Sequence, residues 1–349
     1  MAPPGTQQGR PLRLLSLDGG GIRGISELVI LQEIMHRVKM AGNLKEDPRP
    51  ADYFDMICGT STGGLIAILL GRLRLSVPEA MLQYTRLAKT VFSDKKNGRN
   101  FLQDGLFKAT NLENVIRGVL EDKLRTGGAK AKMIEEGSGG FVCAMLAKNI
   151  KINRPYLFRT WEAAKNPSHN CMIWEACRAT SAAPRFFKRM IINEEEYIDG
   201  SMGCNNPVEV LITEAICEFA AEAEISCILS IGTGQSPVSS VDAPKYLQKF
   251  LPTQLIDALK NMATSSDATA ESARNRLREL DGLFHRLNVD KGLDKISLEE
   301  WDKLSDVKSH THVYLDSYEV SHEIDEIVDS LLGKQKPEKT YILGRLGTC

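Results

Sequence analysis

The sequence predicts an α/β fold of three layers, with a mostly parallel sheet between two layers of helices. Three observations carry this prediction. The chain opens with a strand–loop–helix unit and repeats it at once. Later apolar runs are short, continuous and bounded by glycines, as in strands buried on both faces. A chain of 349 residues with 42% hydrophobic residues has enough apolar side chains to cover such a sheet.

The elements follow in order. LRLLSLD (12–18) reads as a buried first strand and GGGIRG (19–24) as a tight loop. Ile25, Leu28, Leu31, Met35 and Val38 then recur at helical spacing. ADYFDMIC (51–58) is a second strand, and a second helix starts near Thr62. Pro78 suits the first turn of another helix, with Ser76 or Val77 near its cap. Residues 95–140 are richer in Gly, Asn and Lys and less periodic, which predicts surface loop, above all over RTGGAKAKMIEEGSGG (125–140). FVCAMLAK and YLFRTWE return to strand character, and residues 171–180 look helical until Pro184. EEEYIDGSMGCNNPVEVLITEAI reads as short strand, turn and a helix opened by Pro207; ISCILSIGTG is a further buried strand. Beyond residue 235 the chain is polar and helical, with one strand near FHRL and an amphipathic helix over 321–332. The expected layout is a disordered lead over 1–11, a core over 12–234, and a mostly helical C-terminal part of the same domain over 235–349.

Composition excludes several functions. A net charge of -1 offers no basic excess to neutralise phosphates, so no nucleic-acid partner is expected. The start, MAPPGTQQGRPLR, has no apolar h-region and does not read as a signal peptide. The longest apolar stretch, 65–70, is too short to span a bilayer, so membrane contact would be peripheral. The eight cysteines form no CxxC pair and show no zinc spacing; they read as reduced core thiols of a cytoplasmic protein. NVDKGLDKISLEE lacks the order of an EF-hand. No metal or cofactor is expected.

Two glycine-rich stretches and one acidic turn carry the chemistry. In GTSTG, Ser61 stands between Gly59 and Gly63, after a strand and before a helix. A sharp strand-to-helix turn lifts such a hydroxyl out of the sheet, whereas an ordinary βα turn uses serine only as a cap. DGGGIRG matches GxGxxG after the first strand. A dinucleotide site also needs an acidic residue at the end of a second strand, and Glu46 and Asp47 fall in a polar loop instead. Unshielded amides of Gly19, Gly20 and Gly21 suit an oxyanion better. For the base, Asp199 sits at a strand end beside Gly200, where a carboxylate can be presented, although Asp-Gly is also a common turn. Among the histidines, His285, His310 and His312 fit the order of a serine–acid–histidine triad; the last two would alternate along a strand in KSHTHVYL.

Taken together, DGGGIRG (18–24), GTSTGG (59–64) and DGS (199–201) resemble the patatin-like phospholipase family, supported by ATSAAPRFF and LSIGTG. The resemblance covers roughly residues 12–234. It implies a patatin-like three-layer α/β/α fold and a serine–aspartate dyad without histidine: Ser61 as nucleophile, Asp199 as base, and Gly19, Gly20 and Gly21 as the oxyanion hole. Gly59, Gly63 and Gly200 would support these turns. Arg23 would steady its loop by pairing with Asp18, or else attract a phosphate. Ser201 departs from the usual Ala or Gly and adds a hydroxyl near the base. The implied activity is calcium-independent hydrolysis of acyl esters in glycerophospholipids or related glycerolipids, by a protein peripheral to membranes. A homo-oligomer is compatible with the sequence. Residues 95–140 and 236–275 are candidate lids, and apolar helix faces beside Ser61 are candidate acyl-chain contacts or plain core. The alternative is an effector or regulatory module of a larger multidomain protein, catalytic or degenerate. A nucleotide-dependent dehydrogenase rests on the Gly19 loop alone.

Overall fold

The computed structural model describes residues 9–93, 106–124, 126–135, 139–146, 154–184, 186–234, 253–335 and 337–347. Among these the strands are β1 Leu12–Leu17, β2 Met56–Thr60, β3 Gly140–Leu146, β4 Tyr156–Arg159, β5 Met190–Ile192, β6 Glu195–Asp199, β7 Glu224–Ile231, β8 Phe284–Leu287 and β9 Tyr341–Ile342. They form one sheet in the order β5-β6-β3-β2-β1-β7-β8, with β4 on β3 and β9 on β7. The five strands β3, β2, β1, β7 and β8 are parallel. The antiparallel pairings involve β4, β5, β6 and β9.

The helices are α1 Ile25–Ala41, α2 Pro50–Tyr53, α3 Ser61–Ala67, α4 Val77–Phe92, α5 Ala109–Lys123, α6 Ile173–Thr180, α7 Val208–Glu218, α8 Thr253–Arg276, α9 Leu304–Leu315 and α10 Tyr318–Leu332. Strand periodicity sorts them into two layers. Along β1, Leu15 and Leu17 enter one hydrophobic core, while Leu12 and Leu14 enter the other. On β2, Ile57 joins the first, and Met56 and Cys58 the second. The first core holds side chains of α1, α3, α4, α5, α6, α9 and α10; the second holds those of α7 and the end of α8. Both faces are therefore covered, which is why β1 is buried at every position. Ser76 opens α4: its N–H donates to Glu79 Oε2 at 3.0 Å, and Pro78 lies in the first turn.

Four expectations change. Residues 51–53 are helical, in α2, so the second strand starts only at Met56. The stretch read as surface loop over 95–140 contains α5, whose buried Leu112, Ile116, Val119 and Leu120 keep helical spacing. Polar neighbours and Gly118 hid that period. KSHTHVYL is helical, not a strand: it ends α9, which buries Leu304, Val307, Thr311 and Leu315 on one face. Cys58, Cys143, Cys171, Cys177, Cys204 and Cys227 are buried free thiols, but Cys217 is disulfide-bonded. The lead as far as residue 8, and the first parts of the two lid candidates, 95–105 of 95–140 and 236–252 of 236–275, lie outside the described residues. No described helix is long and apolar enough to cross a membrane.

Register brings the carboxyl ends of the central strands to one edge. Leu17 pairs with Gly59 and Ile231, and Ile231 pairs with Leu287. The residues that follow, Asp18, Thr233 and Asn288, sit with Ser61 along that edge, where open α/β sheets hold their ligands. β3 pairs with β2 up to Thr60–Cys143 and with β6 from Ala144–Asp199. At this junction the end of β6 meets the end of β2.

Candidate active site

Ser61 leaves β2 in a left-handed conformation, φ 53°, after an extended Thr60. A residue other than glycine held there costs about 1–3 kcal/mol, which the surroundings must offset. They do so in two ways. The Ser61 N–H donates to Thr180 Oγ1 at 2.9 Å, and that hydroxyl donates on to the Cys143 carbonyl at 2.6 Å. The turn is also tight enough that Gly63 lies against the Leu17 and Asp18 carbonyls; a Cβ there would stand 2.6 Å from the Leu17 oxygen. Gly59 packs against Gly63, and Gly200 against the Cys143 carbonyl, with equally little room.

Ser61 Oγ donates to Asp199 Oδ2 at 2.7 Å across 138 residues of sequence. Asp199 is 0% exposed, while Ser61 is partly exposed. The other oxygen, Oδ1, accepts the Ser201 N–H at 2.8 Å and the Ser201 hydroxyl at 2.6 Å. Burial pushes the Asp199 carboxyl up from 3.8 to about 6, and the hydrogen bonds from Ser201 and Ser61 hold it from going higher. At neutral pH it is therefore ionised, yet more basic than a surface aspartate. The extra hydroxyl of Ser201 is one of the groups that set this balance.

The histidines stand elsewhere. His285 Nε2 lies 3.1 Å from the Gly282 carbonyl, and its Nδ1 lies 3.4 Å from Glu323. His310 and His312 are exposed on α9. The structure thus brings the hydroxyl to an aspartate rather than to a histidine.

The glycine loop lies over the elbow: a Cβ on Gly19 would stand 3.1 Å from Ser61 Cβ. Its amides are not equivalent. The Gly19 N–H already donates to the Asn205 carbonyl at 3.1 Å, whereas the Gly20 N–H points to Thr62 Oγ1 at 3.1 Å, beside Ser61. Gly21 has φ 56°, and its carbonyl accepts the buried Tyr84 hydroxyl. The Gly19 amide is thus held by the turn that precedes α7, and the Gly20 amide by the hydroxyl next to Ser61 in the chain. The cavity lined by Gly19, Gly20, Asn205 and Thr233 measures about 20 Å³, room for a water.

Arg23 does not pair with Asp18. Its Nη1 reaches the Leu293 carbonyl at 3.3 Å. Asp18 is held instead by Arg286 of β8, at 3.0 and 2.7 Å, and Arg286 also donates to Ser230 at 2.8 Å. Burial raises the Asp18 carboxyl, and the guanidinium works against that rise. This buried, forked pair ties the start of the glycine loop to the C-terminal third. Sequence reasoning missed Thr62, Thr180, Asn205, Thr233 and Arg286. Thr62, Thr180 and Thr233 lie inside the family-like stretches GTSTGG, ATSAAPRFF and LSIGTG, whereas Asn205 and Arg286 carried no such sign. On the apolar helix face that follows Ser61, Leu65, Ile68 and Leu69 are buried in the first core.

Comparison with known proteins points the same way as this geometry. A family model described as patatin-like phospholipase matches residues 15–212. Patatin-like phospholipase 1 of Plasmodium falciparum is 26% identical over 86% of this chain and 47% of its own length. Human calcium-independent phospholipase A2-gamma is 27% identical over 76% of this chain and 33% of its own. An Arabidopsis thaliana protein named probable inactive patatin-like protein 9 is 26% identical over 66% of this chain and 62% of its own. The chain spans less than half the length of the first two relatives. A match over more than half of the chain, on a mostly parallel sheet between two helical layers, shows that it belongs to the patatin-like phospholipase family.

Proposed function

We propose that the chain is a lipid acyl hydrolase of the phospholipase A type, acting through Ser61 and Asp199. The observation that carries this reading is the 2.7 Å hydrogen bond from Ser61 Oγ to a fully buried carboxylate raised to about 6. Asp199 takes the Ser61 proton as Oγ attacks the acyl carbonyl carbon. The carbonyl π pair moves to oxygen, and the glycine-loop amides, Gly20 foremost, stabilise that oxyanion. The oxygen then re-forms its double bond, the C–O bond to the alcohol breaks, and protonated Asp199 returns the proton to the leaving alkoxide. Water, deprotonated by Asp199, attacks the acyl carbon; the C–Oγ bond breaks, Asp199 returns the proton to Ser61 Oγ, and the fatty acid leaves. The scheme draws on no metal ion, in line with the name of the human relative.

The substrates are acyl esters of glycerophospholipids or related glycerolipids, met at a membrane surface, and the site of action is cytoplasmic. Residues 235–349 complete the same domain, an assignment supported by the pairing of β8 with β7 and of Arg286 with Asp18. Incubation with a fluorophosphonate probe is expected to label the GTSTGG peptide. Ser61→Ala and Asp199→Asn should each abolish hydrolysis of mixed phospholipid vesicles while circular dichroism stays unchanged. Full activity in either variant, or wild-type activity lost on adding a calcium chelator, refutes the scheme. A second reading, a module within a larger assembly, is favoured by the small share of its relatives that the chain spans. Such a module is either catalytic or degenerate, and in the degenerate case the biological effect survives Ser61→Ala.

A further inference from the structure

Asn205 lies in the turn that leads from Asp199 into α7, and it is 5% exposed. It grips Gly19 twice. Its main-chain carbonyl accepts the Gly19 N–H at 3.1 Å, and its side-chain Nδ2 donates to the Gly19 carbonyl at 3.1 Å. Thr233, just past β7, donates its hydroxyl to the same carbonyl at 3.1 Å. Ser266 Oγ accepts the other Nδ2 hydrogen at 2.7 Å, which fixes the amide rotamer. A trans peptide sets the carbonyl of one residue and the N–H of the next on opposite sides. With two donors holding the Gly19 carbonyl on the Asn205 side, the Gly20 N–H must point the opposite way, and it does so, to Thr62 Oγ1 at 3.1 Å, next to Ser61 in the chain. Between glycines, nothing intrinsic prevents that peptide from flipping.

We propose that Asn205, helped by Thr233, is a positioning residue that aims the Gly20 amide at the oxyanion formed on Ser61. The role rests on the hydrolase reading. It makes one loop serve two tasks: the segment that supplies the base also orients the donor. Removal of Asn205 leaves the acyl ester bound but its oxyanion poorly held, so the loss falls on kcat and not on KM.

The test measures kcat, KM, the pH profile and the rate of fluorophosphonate labelling for the full chain, with Ser61→Ala as the blank. Asn205→Ala is expected to lower kcat and the labelling rate by roughly 100-fold, with KM and the acid limb of the pH profile unchanged. Asn205→Asp, which cannot donate to the Gly19 carbonyl, should behave as badly or worse. Thr233→Val should lower kcat by roughly fivefold. A folded Asn205→Ala variant with wild-type kcat, a loss confined to KM, or a shifted acid limb overturns the role. If the Asn205 variants do not fold, Thr233→Val decides: wild-type kcat overturns the role, and reduced kcat at constant KM supports it. A wild-type chain that neither hydrolyses esters nor takes the label refutes the hydrolase reading and this role with it; an active wild type with unaffected variants refutes this role alone.

Discussion

Replacing Asp199 with Asn removes a charge that the fold holds out of water. A carboxyl whose pKa is higher in the folded than in the unfolded chain binds its proton more tightly when folded. Below 3.8 both states are protonated and the fold bears no penalty. As pH climbs from 3.8 to about 6 the unfolded chain ionises first, and the fold loses stability relative to it. Above about 6 the full penalty remains. At ~1.4 kcal/mol per pH unit, the distance from 3.8 to about 6 amounts to about 3 kcal/mol. Asparagine is isosteric and stays neutral. Its oxygen can accept both bonds from Ser201, and its NH₂ can donate to Ser61 Oγ. The variant should therefore match the wild type near pH 4 and exceed it by up to about 3 kcal/mol at pH 8, or ~5 °C in melting temperature for a chain of this size. Thermal unfolding followed by circular dichroism from pH 4 to 8 measures the gap. A gap that does not grow with pH, or a variant less stable at pH 8, refutes the claim that Asp199 is held ionised at the cost of burial.

Other outcomes follow from neighbouring contacts. Ser201→Ala removes the hydroxyl that holds Asp199 Oδ1 at 2.6 Å, so the acid limb of the activity profile should move upward from about 6; a downward shift in a pH–rate profile contradicts the assignment. Arg286→Met strands the buried Asp18 carboxylate and should cost about 3–5 kcal/mol in urea denaturation, with Asp18→Asn in the same chain recovering part of it; an additive double variant rejects the coupling. Gly63→Ala drives a methyl into the Leu17 and Asp18 carbonyls, so soluble yield and fluorophosphonate labelling should both fall sharply, and a well-folded, fully labelled variant rejects the close approach. Tyr84→Phe removes the hydroxyl bonded to the Gly21 carbonyl and should cost about 1 kcal/mol, read by the shift of the denaturation midpoint.

Local patterns made much of this molecule legible. The apolar run of β1, the helical spacing of α1 and the glycine-flanked turn at Ser61 each result from forces among residues close in the chain. So do the Asp-Gly turn at Asp199 and the proline-opened α7. Reading failed where the period was diluted, as at α5, or where a short polar alternation imitated a strand, as at His310 and His312 on α9.

What the sequence determined alone was the class of sheet, the two sharp turns, and the residue types able to carry acyl transfer. Tertiary structure decided which groups meet. Asp18 finds Arg286 across 268 residues instead of its neighbour Arg23, and Gly19 spends its amide on Asn205. Asp199 owes its raised pKa to complete burial. Turns and periodicity are set by covalent neighbours, whereas charge pairing, amide direction and desolvation are set by whatever the fold packs alongside.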